Sequence, residues 1–185
     1  ITATVPGITE NHYPVQLIVN GERRYRPRLP KQGYFTIAGL AGVDPAIKYW
    51  TPANKFEYKE GDIDPKWKNQ TDIDVTVLHF WNDSHLFIKE INGETRTVTT
   101  QNTSWARLTD DFSSRGSRYF VDNVSEALSL PGEWYLDRKS GLITYLTMKG
   151  ETSSDIKAVL PVLESIVMIK GDPQNNIFVQ YLYFQ

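Results

Sequence analysis

Residues 130 to 146 read "LPGEWYLDRKSGLITYL", two short β-rich runs, "EWYLD" and "LITYL", separated by "RKSG". Gly141 adopts a left-handed backbone at little steric cost, and Pro131-Gly132 punctuates the chain just before the first run. The stretch therefore reads as a β-hairpin reached through a proline-glycine turn. Its acidic and aromatic residues raise a chemical alternative, in which Glu133 is a catalytic carboxylate held against Trp134 as a sugar platform.

Working outward, the same period of two recurs. In "DVTVLHFW", Val75, Val77, His79 and Trp81 point one way and Thr76, Leu78 and Phe80 the other. "HLFIKEINGETRTVTT" places Asn92-Gly93 between two β-rich runs, and "YPVQLIVNGERRYR" does the same with Asn20-Gly21, both strong hairpin signals. Helical periodicity is weak; the best segment is "VSEALSL", Val124 to Leu130, where Ser125 is placed to cap a single turn before Pro131. Without a strand-helix-strand rhythm, the expected fold is an all-β antiparallel β-sandwich. Residues 40 to 70, rich in Pro, Asp, Lys and Gly but carrying Tyr49, Trp50, Phe56, Tyr58 and Trp67, read as a long, partly ordered loop.

The last segment differs. "PVLESIVMIKGDPQNNIFVQYLYFQ" holds two apolar runs split by "GDPQN"; Ile177 and Val179 alternate, the phase slips at Gln180-Tyr181, and Leu182 and Phe184 resume it. Such a slip suits a bend between short strands at a solenoid corner. One coil cannot bury its own face, so the natural protein is expected to continue beyond Gln185. The exposed strands would otherwise favour self-association.

Composition narrows the functions. The 185 residues carry 20 basic and 22 acidic side chains, a formal net charge of −2, which supplies no field for nucleic acid or an anionic membrane. No apolar run approaches the roughly 20 residues that cross a bilayer. Cysteine is absent, so neither disulfides nor thiolate metal sites arise. No cofactor is expected.

"LIVNGERRYRPRLP" resembles the asparagine-glycine, arginine-rich, proline-ended signature of carbohydrate-active proteins built on a right-handed parallel β-helix interrupted by a β-sandwich insertion. "RYFVDNVSEALSLPGEWYLDRKSGLITYL" is similar to the signature that closes that insertion, and "AVLPVLESIVMIKGDPQNNIFVQYLYFQ" to the return into the helix. The resemblance carries over Asn20, Gly21, Arg23, Arg26, Arg28 and Pro30 in the first signature, and Asn123, Pro131, Gly132, Glu133, Trp134, Tyr135, Asp137 and Gly141 in the second. Relatives include fucosidases, xylosidases and xylanases. It implies a β-sandwich insertion domain over 1–162, the start of a β-helix over 163–185, and a secreted or periplasmic parent acting on a poly- or oligosaccharide. Catalytic carboxylates are then expected on coils outside this chain.

Glycoside hydrolysis needs two carboxyl groups about 5 to 9.5 Å apart, one of them held protonated. Glu133, Asp137, Asp72 with Asp74, and Asp110 with Asp111 are the candidates. Asp72 and Asp74, spaced i, i+2, are expected on one strand face. Glu133 is the strongest, because burial beside Trp134 would raise its pKa; its structural alternative is an ion pair with an arginine of "RRYRPR", and that alternative is preferred. Arg23, Arg26 and Arg28 suit acidic sugars if they bind substrate and a solvated face if they do not. Trp134 and Trp50 are the substrate-stacking candidates, with Trp67, Trp81 and Trp105 divided between core and surface. His79, Asp83 and His85 lack a fourth ligand, so no metal site is assigned. The sequons at Asn69, Asn82, Asn102 and Asn123 read as chance matches. The leading function is an accessory β-sandwich that shapes the substrate cleft of a polysaccharide-degrading enzyme. A stand-alone carbohydrate-binding module and a sandwich without a sugar site are the alternatives.

Overall fold

The computed structural model describes residues 1–9, 13–44, 46–109, 115–163, 167–181 and 183. Its strands are β1 (Thr2–Thr4), β2 (Ile18–Val19), β3 (Glu22–Arg23), β4 (Arg28–Leu29), β5 (Phe35–Thr36), β6 (Lys55–Glu57), β7 (Asp74–Leu78), β8 (Asp83–Asn92), β9 (Thr97–Thr100), β10 (Arg118–Asp122), β11 (Trp134–Asp137), β12 (Leu142–Tyr145) and β13 (Ala158–Val159). All strand pairs among the described residues are antiparallel. The protein is all-β. A seven-stranded sheet runs β4-β10-β7-β8-β9-β6, with β5 pairing the other end of β10, and two three-stranded sheets run β1-β12-β11 and β13-β2-β3.

The 130–146 hairpin forms as read. Trp134 pairs with Tyr145 and Asp137 with Leu142, while Asp137 Oδ1 accepts from the Lys139 and Ser140 amides and Gly141 turns the chain at φ 71°. Asn20 and Gly21, both at positive φ, close a two-residue turn between Val19 and Glu22. The Asn92-Gly93 hairpin is present with a longer loop. Asn92 pairs with Thr97, its side chain accepts from the Thr95 amide, and Arg96 takes the left-handed conformation. Gly93 is needed for space: a Cβ there would meet Pro65 Cγ at 2.8 Å.

Three local expectations need correction, and the β-helix start expected over 163–185 is not seen among the described residues. The alternation from Val75 to Trp81 stops at Leu78, because His79 N donates to Asn82 O and turns the chain. Ser125 does not cap; its hydroxyl donates to Glu126 Oε2, and Val124 precedes a single 3-10 turn, Ser125–Ala127, with no side-chain bond. The expected face shared by Asp72 and Asp74 does not form, since Asp72 sits in a 3-10 turn, Gln70–Asp72, before β7 begins. Among the described residues of 163–185 there is no strand and no solenoid coil, only a 3-10 turn at Pro173–Asn175 closed by an Asp172–Ile177 bridge. Val167, Met168, Ile169, Ile177, Phe178 and Val179 are exposed there, so no covering layer offsets the entropy of ordering them. Glu164, Ile166, Leu182 and Phe184 lie outside the described residues.

Two cores result. Val75, Val77, Leu86, Ile88, Tyr119 and Val121 project from one face of the large sheet, and Tyr58, Ile63 and Trp67 of the long loop help to cover them. Much of the opposing layer is thus loop rather than sheet. The second core joins Val19, Trp134, Leu136, Ile143 and Tyr145 from the two small sheets.

Buried polar groups link the cores. Asn123, fully buried at φ 63°, donates to the carbonyls of Leu136 and Asp72 and accepts from the Leu136 amide. Asp72 accepts from Arg138 Nε at 3.1 Å, from the Arg138 amide and from the Tyr135 hydroxyl. Arg138 also lies over the Tyr13 and Phe87 rings, 4.4 and 5.4 Å from their centroids. Both members of the Asp72–Arg138 pair are 5% exposed. Removing one partner of such a pair costs about 3–5 kcal/mol, because the other stays buried and unmatched. Arg138→Met is therefore expected to lower unfolding stability by about that amount in urea titration. A loss no larger than that of an exposed pair, under about 1 kcal/mol, would remove this pair from the determinants of the fold.

Candidate functional site

The predicted site residues separate into two groups. Around the proline-glycine turn, Glu133 is 6% exposed. The two signature segments do meet, but through the main chain: Tyr25 N donates to Gly132 O and Trp134 N to Tyr25 O. The expected arginine partner is replaced by Lys31, whose ammonium donates to Glu133 Oε1, while Oε2 accepts from the Ser129 and Leu130 amides at 2.9 and 3.0 Å. Burial opposes ionisation, yet the ammonium and the two amides outweigh it and hold the carboxyl below the usual range. A general acid needs the opposite shift.

Three of the four arginines of "RRYRPR" miss Glu133 because each has another carboxylate. Arg24, Arg26 and Arg28 alternate with Tyr25 and Pro27, and the three bond Glu151, Asp74 and Asp122 respectively. Arg28 is bidentate, with both bonds at 2.8 Å, and lies 3.6 Å from the Phe120 centroid. Arg23, of opposite parity, is exposed on β3. Burial raises the Asp74 carboxyl more than Arg26 and Arg138 lower it, and its Oδ1 has no partner among the described residues. Asp137 caps its own hairpin turn, and Asp110 and Asp111 lie outside the described residues. Sequence reasoning overlooked Asp62, whose carboxyl burial also raises and which accepts from the Tyr119 hydroxyl at 3.4 Å. Its only sequence signal was its place in the aromatic-rich loop.

Trp134 is corrected from platform to core. It is fully buried in the second core, since β11 turns this face toward β2. Trp67 is likewise buried. His79 Nε2 bonds Ser84 Oγ, His85 lies 3.6 Å from Asp83, and no group of three or more potential metal ligands converges among the described residues. The Asn123 amide is committed inside the fold, which leaves that sequon no acceptor at the surface.

Trp50 belongs to an exposed aromatic cluster. Three segments build it: Tyr49 and Trp50 from the loop before β6, His79, Phe80 and Trp81 from the β7–β8 turn, and Trp105 after β9. Ser104, almost fully buried, ties the first to the third: its Oγ accepts from Ala53 N, and its single hydroxyl proton lies within hydrogen-bond reach of the Ala53 and Ala106 carbonyls. Arg107 strengthens the tie by donating from its amide to Tyr49 O and from Nη1 to Ile47 O. Trp50 sits 4.9 Å from Trp105 and 6.5 Å from Trp81, centroid to centroid. Trp50, Phe80 and Trp81 are 61%, 66% and 63% exposed. Clustered exposed aromatics of this kind make the patch a candidate interaction surface. At the far end of β8 an open cleft of about 580 Å³ is lined by Tyr58, Glu60, Asp64, Pro65, Glu94 and Arg96, with Glu60 and Arg96 paired at 3.4 Å.

No protein-family model and no curated protein matches the chain. A solved structure described as "Glycoside hydrolase" is similar to it, with a TM-score of 0.67 and 20% sequence identity over 95% of this chain. That match covers 31% of the other chain, so this chain spans less than a third of that structure's length. The likeness establishes a shared all-β fold. No helix among the described residues is long and apolar enough to cross a membrane.

Two outcomes separate core from site. Trp134→Ala is expected to cost about 3–5 kcal/mol of stability, whereas Trp50→Ala, at an exposed position, changes it by less than about 0.5 kcal/mol; denaturant titration compares them. Because the folded Glu133 pKa is depressed, its contribution is present above the ordinary carboxylate pKa and is lost as pH falls through the folded value. Glu133→Gln is thus less stable than wild type near neutrality, with a flatter decline into acid. Equal acid slopes in the two proteins would contradict the depressed pKa.

Proposed function

We propose that this chain is the accessory β-sandwich region of a secreted or periplasmic polysaccharide-degrading glycoside hydrolase, shaping the substrate cleft without supplying the catalytic carboxylates. In this reading residues 1–162 are the insertion domain and 163–185 begin a right-handed parallel β-helix. The observation that carries it is the contrast between the two groups of candidate residues. Glu133, Asp72 and Asp74 are engaged by cations and main-chain donors, while Trp50 and Trp81 stand exposed. Carboxylates so engaged hold the fold, and exposed indoles suit the apolar faces of sugars. The likeness to part of a longer chain described as a glycoside hydrolase supports the same reading.

The C-terminal segment fits it too. Val167, Met168, Ile169, Ile177, Phe178 and Val179 are uncovered, and stacked coils would cover them in the parent protein. In an isolated chain the same side chains are a surface for self-association. A stand-alone carbohydrate-binding module is the second reading, favoured by the same exposed indoles.

The isolated chain is expected to release no sugar from aryl fucosides and xylosides. Turnover that Glu133→Gln abolishes would overturn the accessory reading and make Glu133 a catalyst.

A further inference from the structure

From the inclination of Trp50 and Trp81 we infer that the aromatic cluster is a glycan-binding site for a single, twisted chain, engaged over at least two consecutive pyranoses. This rests on the carbohydrate reading above and adds the kind of glycan. The two exposed indoles are 6.5 Å apart between centroids and inclined by 57°. A sugar held between facing rings needs van der Waals distance on both sides, about 3.5–4.0 Å each, which exceeds that separation. Each indole therefore takes its own sugar. The flat face of a crystalline polysaccharide requires coplanar rings, and these are not coplanar. A chain whose successive ring planes turn relative to one another presents inclined faces to match them.

The platform is preorganised, so binding costs it little ordering. Trp105 packs against both indoles, at 4.9 and 6.3 Å, and Ser104 fixes the loop that carries Trp50. The 79–82 turn that carries Trp81 is set by the His79 amide bond to Asn82 O and by His79 Nε2 on Ser84 Oγ. Lys48 and Asn82, both exposed, flank the two indoles in sequence and offer hydrogen bonds to sugar hydroxyls. The exposed rings are all aromatic, which distinguishes this surface from the mixed aliphatic face of the C-terminal segment.

The test is calorimetric titration of the whole chain with xylohexaose, a soluble twisted chain, and with xylose, alongside depletion from solution by microcrystalline cellulose. Xylohexaose is expected to bind, xylose to show no heat at the same sugar concentration, and cellulose to leave the protein in solution. Trp50→Ala and Trp81→Ala should each weaken xylohexaose at least about tenfold, the loss of one stacking contact. Ser104→Ala, which leaves both indoles present but frees the loop that carries Trp50, should weaken it less. Xylose binding as tightly as xylohexaose, or tryptophan-dependent adsorption to cellulose, overturns this inference and leaves the accessory reading standing. Absence of xylohexaose binding, or binding that both tryptophan variants retain, also overturns it. Glu133-dependent hydrolysis is what overturns the accessory reading, whatever the indoles bind.

Discussion

The amide of Asn123 bonds the main chain of Leu136 in both directions and reaches the carbonyl of Asp72, while the carboxylate of Asp72 is occupied by Arg138. Asn123 follows β10 of the large sheet, Asp72 precedes β7, and Leu136 and Arg138 belong to the 130–146 hairpin. These few polar groups therefore fix the β1-β12-β11 sheet against the large one. They are buried, so any change of relative position would leave a charge or an amide unmatched, at a cost far above that of sliding two apolar surfaces. Hydrophobic burial makes the two cores; this polar link sets how they are joined.

The same constraint accounts for the fate of the acidic candidates. A chain rich in short strands brings distant carboxylates and cations into a confined space, and each buried charge must find a partner. Arg24, Arg26 and Arg28, spaced by the period of an extended chain, reach three different carboxylates, and Lys31 is left for Glu133. Charge is thereby spent on architecture. The exposed rings stand apart from these charges, at one end of the β7–β8 hairpin and on the loop before β6, which Ser104 and Arg107 hold in place.

Three hairpins were legible because their signals are local. Asn20-Gly21, Asn92-Gly93 and the Gly141 turn depend on backbone freedom and side-chain alternation within a few residues. Trp50 as an exposed ring was legible as a candidate, though its companions Trp81 and Trp105 reach it from segments about 30 and 55 residues away, consistent with loops converging on a scaffold. Trp134 was misread as a platform because a tryptophan beside an acidic residue looks alike in a core hairpin and in a sugar site. Only the placement of β11 against β2 separates them.

The sequence by itself determined the all-β class, the antiparallel pairing of neighbouring strands and the positions of the principal turns, since each follows from steric limits on nearby backbone and from a period of two. Tertiary structure alone decided which cation meets Glu133, that Asp72 and Asp74 part company, and that the long loop covers the large sheet. It also decided that Trp50 and Trp81 stand side by side while Trp134 is buried. These are contacts between residues far apart in the chain, and their partners are selected by burial and unsatisfied charge in three dimensions, for which no short window of sequence carries a signal.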